Sequence, residues 1–362
     1  MYLKVEQGSK EEHLRKINQL ILKLFEYAAE AAQFDTEEFE QFAGKDEVWS
    51  TKCYTPSSKF YNRMRKLFGF SSEERRKIYR VIQHDMEFDR HVEDSNFIFE
   101  EAELGKRQKE TARELILYLY DNLFRKGKFV IQNQITGYQE FKESLFEQNL
   151  PSICPACLTM QTNMIEYGEV DHYFPKKNFP ALIFHPMNLA VICGECNGFM
   201  VKGEKNTFEK SNLTELYIPY LRDAEKEVEL TVRKVEENGE DGERKKAKKM
   251  MMVPRVSDDS GLIKKRIRNL DSLYDLSKRW TYRMETIITC ELEYLENEKL
   301  ESSVRKQLHD KAAARKKQAE KNKTMLLEAA VLSYIEKEGR ESFLADWRMR
   351  QKEKEAMKDF WR

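Results

Sequence analysis

The sequence predicts an α+β protein that is mostly α-helical, with a small cysteine-rich module near its middle and a β-hairpin after that module. Three observations support this fold class. Only 14 glycines and 8 prolines occur in 362 residues, and charged residues make up 35% of the chain, a composition that favours long helices. Four of the six cysteines form two C-x-x-C pairs. Apolar and charged residues partly alternate in one stretch after the second pair, as strands do.

The overall composition excludes several classes of protein. Acidic and basic residues number 63 each, and this zero net charge argues against a uniformly basic nucleic-acid coat while leaving a local basic patch open. Apolar residues make up 40% of the chain, which supports a sizeable core and rules out wholesale disorder. No apolar run is long enough to span a membrane, and the N-terminus lacks the apolar stretch of a signal peptide. We therefore expect a soluble, cytoplasmic protein without a membrane partner.

Residues 1–150 have the pattern of a helical domain. Apolar residues recur in steps of three and four through residues 9–33, which predicts an amphipathic helix. Ser71 is followed by Glu74 three residues later, the pattern of a capping box that starts a helix. Four further helices are predicted, at roughly 58–68, 71–87, 97–126 and 138–148. We expect an all-helical N-terminal domain over residues 1–150.

The rest of the chain divides into a central module and a C-terminal region. Prolines, cysteines and turn residues concentrate after residue 150, so we assign residues 151–215 to a module of their own. In the C-terminal region, 216–362, partial alternation near 228–235 and a second candidate strand near 250–256 predict a β-hairpin. From about residue 258 onward the pattern is helical again, with a long charged stretch.

The two cysteine pairs predict a structural zinc site. Cys154 and Cys157 form the first pair, and Cys193 and Cys196 form the second. In a chain without a secretory signal, this spacing indicates a metal before it indicates disulfides. Four thiolates suit tetrahedral zinc with no open coordination position, which is the ligand set of a site that stabilises a fold.

Polar residues that a zinc ion would not use lie between and after the cysteine pairs. Asp171 and His172 are adjacent in a strand-like run, and Asn188 stands just before an apolar run. Asn197 follows Cys196 directly, at the predicted start of a helix. A strand, loop, strand and helix in this order would present Asp171, His172 and Asn197 on one face. Carboxylate and amide oxygens are hard ligands, which suit Mg²⁺ or Mn²⁺.

At these residues the sequence resembles the HNH family of endonucleases, of the type with four zinc-binding cysteines and a ββα-metal fold. The resemblance runs from Cys154 to about Lys205 and rests on Asp171-His172, Asn188-Leu189 and Cys193-x-x-Cys196-Asn197. The final histidine of the family is replaced by Asn197, as it is in the HNH domain of RNA-guided CRISPR nucleases. The run from 171 to 197 looks most like HNH nucleases of bacterial anti-phage defence systems, where the nuclease is often paired with an ATPase.

The resemblance implies a metal-dependent endonuclease that hydrolyses DNA to products with 5′-phosphate and 3′-hydroxyl ends. His172 would act as the general base that takes a proton from the attacking water. Asp171 and Asn197 would hold one Mg²⁺ or Mn²⁺ on the scissile phosphate. Asn188 would pin the loop between the strands and so orient His172.

Four lysines flank these residues, and we expect them to contact phosphates: Lys176, Lys177, Lys202 and Lys205. Simple solvation of these side chains is the competing interpretation.

Two other functions remain open at this point. The module could be a zinc-stapled binding or adaptor subunit whose nuclease site is silent, or the same site could cleave RNA. The helical flanks could dock on an ATPase or on another subunit of a defence complex.

Overall fold

A computed structural model describes residues 1–43, 59–131, 134–149, 153–159, 166, 168–206, 208, 211–237, 247–256 and 260–360. Within these residues helices predominate, and the strands form three two-stranded antiparallel sheets. The predicted α+β class with a helical majority is confirmed. None of the described helices combines the length and the apolar character that crossing a membrane requires.

The chain forms two compact units. One consists of Met1, residues 3–155 and residues 161–224, and the other consists of Tyr2, residues 156–160 and residues 225–362.

The larger unit begins with helices. Their bounds are α1 (Glu11–Glu30), α2 (Thr36–Ala43), α3 (Lys59–Phe68), α4 (Ser72–Met86), α5 (Lys106–Leu119) and α6 (Tyr138–Gln148). Helix α1 buries Leu14, Ile17 and Ile21 along one face, as the three- and four-residue spacing predicts. The capping box before α4 is confirmed, because the side chain of Ser71 accepts from the backbone N–H of Glu74 and the Glu74 carboxylate accepts from the backbone N–H of Ser71.

The helix predicted over 97–126 is shorter in the structure. The Asp85 carboxylate accepts the backbone N–H groups of Glu100 and Glu101, at 2.7 and 3.1 Å, and these bonds stabilise a short 3₁₀ turn before α5. Helix α5 then begins at Lys106 and ends in a wide π-helical turn, Tyr120–Phe124. This turn matters because Tyr120 lines the candidate site described below.

The N-terminal region is not all-helical, contrary to the prediction. Strands β1 (Phe129–Ile131) and β2 (Gln134–Thr136) pair antiparallel between α5 and α6. The segment contains β-branched residues, such as Val130 and Ile135, which favour strands over helix. Its six strand residues were too few to show a period of two in the sequence.

The central part of the larger unit contains two strands and a short helix in succession. Strand β3 (Gly168–His172) pairs antiparallel with β4 (Leu189–Cys193), with Gly168 opposite Cys193 and His172 opposite Leu189. Helix α7 (Gly194–Asn197) follows β4 directly. Asn197 therefore ends this helix, whereas the sequence analysis placed it at the start. Asp171 and His172 lie at the end of β3.

The loop between β3 and β4 packs on an aromatic cluster. Phe174 contacts Phe88, Phe99 and Phe179 with ring centroids 5.4 Å apart in each pair. All four rings are buried. Aromatic pairs of this geometry add stability beyond the buried area, so the loop that follows the site residues is held in one position.

The smaller unit contains the predicted β-hairpin, which is confirmed. Strand β5 (Val228–Glu237) pairs antiparallel with β6 (Ala247–Val256), with Val228 opposite Val256. The connection between them lies outside the described residues. Helices follow in this order: α8 (Gly261–Tyr274), α9 (Leu276–Leu295), α10 (Glu301–Lys321), α11 (Leu326–Tyr334) and α12 (Arg340–Phe360).

Candidate active site

Three of the four predicted catalytic residues line one cavity in the larger unit. Asp171, His172 and Asn197 border a space of about 260 Å³. The cavity is mainly polar and charged, and its other polar lining residues are Tyr120, Arg125, Tyr138, Glu169, Lys176, Lys177, Lys202 and Glu204. The end of β3, the end of α7 and the π-helical turn after α5 therefore place their side chains around a single space.

The ring of His172 is held in a defined orientation. Its Nε2 lies 3.0 Å from the backbone oxygen of Ile183, and the ring of Tyr120 meets it edge-on with centroids 5.1 Å apart. A carbonyl oxygen only accepts, so Nε2 carries the proton and Nδ1 of the neutral ring keeps its lone pair. Nδ1 has no hydrogen-bond partner in the part of the chain that the structure describes. This tautomer is the one that can take a proton through Nδ1.

Burial keeps His172 neutral. The residue is only 7% exposed, and desolvation lowers the pKa of its imidazole well below the ordinary value of 6.5. The positive charges of Lys176 and Lys202 lower this pKa further, while the hydrogen bond to Ile183 opposes the shift. The ring is therefore an unprotonated acceptor at neutral pH, as a general base must be.

Asp171 forms a buried ion pair that the sequence did not predict. Its Oδ1 accepts from the ammonium of Lys202, and the two residues are 1% and 2% exposed. The same ammonium donates to the backbone oxygen of His172 at 2.5 Å. A carboxylate this deeply buried needs a compensating positive charge, and Lys202 supplies it. Lys202 therefore lines the cavity through a bonded ammonium, unlike a solvated surface lysine.

Asn197 presents an amide oxygen to the same region. Its Nδ2 donates to Oε2 of Glu169 at 2.6 Å, which leaves Oδ1 as the acceptor of this half-buried side chain. Glu169 precedes Asp171 by two residues on β3, so both project from the same face of the strand. No motif in the sequence singles out Glu169, although its two-residue spacing from Asp171 on a predicted strand is a signal that places both side chains on one face.

Asn188 lies outside the cavity lining and is fully buried. Its Oδ1 accepts from the backbone N–H of Phe174 at 2.6 Å, and its Nδ2 donates to the backbone oxygens of Phe174 and Leu182, at 3.2 and 2.9 Å. These bonds join the start of the β3–β4 loop to its second half. Because Leu182 precedes Ile183, whose oxygen holds His172, Asn188 acts on the imidazole through the loop backbone.

Two cations add positive charge to the cavity. The ammonium of Lys176 lies 4.8 Å from the centroid of the Tyr120 ring, and burial lowers the pKa of this lysine. Arg125, which is not among the predicted site residues, has its guanidinium 5.7 Å from the ring centroid of Tyr138. Arg125 follows the π-helical turn, and no local motif in the sequence indicates that it lines a site.

The remaining predicted lysines are exposed. Lys177 lines the cavity and pairs with Glu204 at 2.7 Å. Lys205 is exposed but does not border the cavity. Of the four predicted lysines, Lys176, Lys177 and Lys202 thus surround the candidate site, and Lys205 lies outside its lining.

The four paired cysteines form a buried cluster that could bind a metal such as zinc. The sulfur atoms of Cys154, Cys157, Cys193 and Cys196 all lie within 4.8 Å of one another. The backbone N–H of Cys193 donates to the sulfur of Cys154 at 3.3 Å, and that of Cys196 donates to the sulfur of Cys193 at 3.4 Å. Four sulfur ligands from the protein leave no open position, which suits a structural ion.

Comparison of the chain with protein-family models, with curated proteins and with solved structures finds no match. The functional interpretation of the site therefore rests on the motif residues and on the geometry of the cavity.

Proposed function

We propose that the chain is a metal-dependent HNH endonuclease that hydrolyses phosphodiester bonds of DNA, and that it serves bacterial anti-phage defence. One observation carries the enzymatic part of the proposal: His172, with an unprotonated Nδ1, shares a cavity with Asp171 and Asn197. Support for DNA as substrate and for a role in defence comes from the resemblance of residues 154–205 to HNH nucleases.

The donor set fits a hard divalent cation. Asp171 offers a carboxylate and Asn197 an amide oxygen, which are ligands that Mg²⁺ and Mn²⁺ prefer. Oδ1 of Asp171 also accepts from the ammonium of Lys202, so a bound ion would share this carboxylate with the lysine. Asp171 and Asn197 would hold the ion, and a bound Mg²⁺ or Mn²⁺ would offset negative charge on the scissile phosphate.

The protein's own groups account for the remaining steps of the proposed hydrolysis. Nδ1 of His172 takes a proton from the attacking water, while the bond from Nε2 to Ile183 fixes the ring. Lys176 and Arg125 supply positive charge that attracts a polyanion to the cavity. Asn188 keeps the loop that carries Ile183 in place.

A metal-dependence assay on several substrates tests the proposal. Plasmid DNA, linear duplex DNA and structured RNA are incubated with the wild-type chain in Mn²⁺, Mg²⁺ or EDTA, and the product ends are analysed. We expect metal-dependent cleavage of DNA that leaves 5′-phosphates. Cleavage of RNA alone would favour the RNA-cleaving alternative.

The absence of cleavage under every metal condition would favour an adaptor subunit with a silent site. A partner ATPase could be required for activity, so the same assay is repeated with any subunit that co-purifies with the chain. A chain that stays inactive with its co-purified partner contradicts the proposal.

The pH dependence of cleavage should reflect the low pKa of His172. Protonation removes the acceptor, so kcat/KM falls as pH falls through the pKa of the folded protein, and we expect this acid limb well below pH 6.5. The unfolded chain takes up this proton near pH 6.5, so stability should also decline as pH falls below that value. Initial rates measured across pH check the prediction, and an acid limb centred at or above pH 6.5 would contradict it.

A further inference from the structure

Two large apolar side chains are exposed beside the candidate active site. Phe199 and Met200 are 87% and 86% exposed, the highest values among large apolar residues in the described part of the chain. They lie among the four residues between Asn197 and Lys202, both of which line the cavity. We call residues 198–203 the apolar turn. A contiguous exposed apolar patch can mark a binding surface, and Phe199 and Met200 are adjacent in the chain.

The apolar turn is fixed at both ends. Before it, Asn197 is bonded to Glu169, and within it Lys202 is bonded to Asp171 and to the backbone of His172. Phe199 and Met200 are therefore held at a defined place relative to the proposed catalytic residues.

Hydrogen bonds within the apolar turn also hold its shape. The backbone N–H groups of Val201 and Gly203 both donate to the oxygen of Gly198, at 3.0 and 3.1 Å. Gly203 has φ of +49°, and a Cβ there would lie 2.9 Å from the backbone oxygen of Phe199. A side chain at position 203 would therefore strain this closure, and glycine allows the turn that carries Phe199 and Met200 to form.

The chemistry of the adjoining cavity indicates what covers these side chains. The lining holds four cationic side chains, Arg125, Lys176, Lys177 and Lys202, against the three carboxylates of Glu169, Asp171 and Glu204. Lys177 and Lys202 are paired with carboxylates, so Arg125 and Lys176 supply the positive charge that favours a polyanion. A nucleic acid combines phosphates, which suit the cavity, with flat base faces, which suit an aromatic ring and a thioether. A single ligand of this kind would satisfy both surfaces at once.

We infer that Phe199 and Met200 contact unstacked bases that flank the scissile phosphate. This inference rests on the proposed nuclease function and adds a property to it: the substrate has single-stranded or locally opened structure at the cleavage position. Stacking on a base face tolerates any sequence, because every base has one. Inserted apolar side chains can also unstack neighbouring base pairs of a duplex.

Binding measurements test the inference. Fluorescein-labelled single-stranded DNA is titrated with the His172→Ala chain, which prevents cleavage, and with the same chain carrying Phe199→Ala and Met200→Ala. We expect the double substitution to weaken binding about ten-fold or more, and Phe199→Trp to retain it. Ile98→Ala, at a residue 72% exposed outside the cavity lining, is the matched control and should bind as the parent does.

A strand with abasic positions separates base contacts from other causes. We expect the parent chain to bind this strand as weakly as the double variant does, because the contact partners are missing. If the wild type cleaves DNA but the double variant binds intact DNA as tightly as Ile98→Ala does, the inference is wrong and the proposed nuclease function still stands. The inference is also wrong if the double variant loses self-association or a protein partner but still binds DNA as the parent chain does. Absence of any cleavage by the wild type would instead contradict the proposed function.

Discussion

Replacing Cys193 with serine is expected to release the structural metal and to unfold the segment that carries Asn197. Structural zinc contributes about 10–16 kcal/mol of apparent binding free energy in small zinc domains, which is as large as the whole stability of many proteins. Cys193 also caps helix α7, because its sulfur accepts the backbone N–H of Cys196. Zinc content by elemental analysis, together with the thermal unfolding temperature, measures the effect.

Cys290 provides the control for this substitution. It is an exposed cysteine outside the buried cluster, so Cys290→Ser should leave both zinc content and unfolding temperature unchanged. A Cys193→Ser chain that retains one zinc per molecule and unfolds at the wild-type temperature would show that the cluster does not hold the ion.

Replacing Lys202 with methionine is expected to destabilise the chain by about 3–5 kcal/mol in buffer without added Mn²⁺ or Mg²⁺, because Asp171 would be left buried without the Lys202 ammonium. Mn²⁺ should restore part of this loss if Asp171 is a metal ligand, since the ion would supply the missing positive charge. Combining Lys202→Met with Asp171→Asn should cost less than Lys202→Met alone. Urea unfolding without added divalent cation and in Mn²⁺, at equal zinc content, measures each free energy of unfolding.

Lys177 is the matched control for Lys202. It also pairs with a carboxylate at the cavity, that of Glu204, but both members of this pair are more than half exposed. Exposed pairs contribute roughly 0–1 kcal/mol, so Lys177→Met should change stability little. Equal losses from Lys202→Met and Lys177→Met would contradict the structural role of the buried pair.

Local patterns in the sequence predicted the parts of the site that are set by local structure. The C-x-x-C spacing predicts the cysteine cluster because two intervening residues let the chain turn so that both sulfur atoms can bind the same ion. Asp171 and His172 were placed on a strand, and β3 ends with them.

Contacts between distant residues account for what the sequence did not reveal. Lys202 reads as a surface lysine, yet it is paired with a residue 31 positions away. Arg125 and Tyr120 reach the cavity because α5 ends in a π-helical turn, which has no sequence signature of its own. The late start of α5, at Lys106, has the same origin, since the 3₁₀ turn before it depends on the distant carboxylate of Asp85. Long-range pairing overrides local propensity in each case.

The central claim is that the imidazole of residue 172 acts as the base in metal-dependent cleavage of a phosphodiester. Its most direct test is the initial rate of DNA cleavage in Mn²⁺ by wild type, His172→Ala and His309→Ala, the last at an exposed histidine in the smaller unit. We predict that His172→Ala lowers the rate by about 10²–10⁴-fold while zinc content stays at the wild-type value and the chain remains folded, and that His309→Ala cleaves as wild type does. Cleavage by His172→Ala at the wild-type rate would contradict the claim.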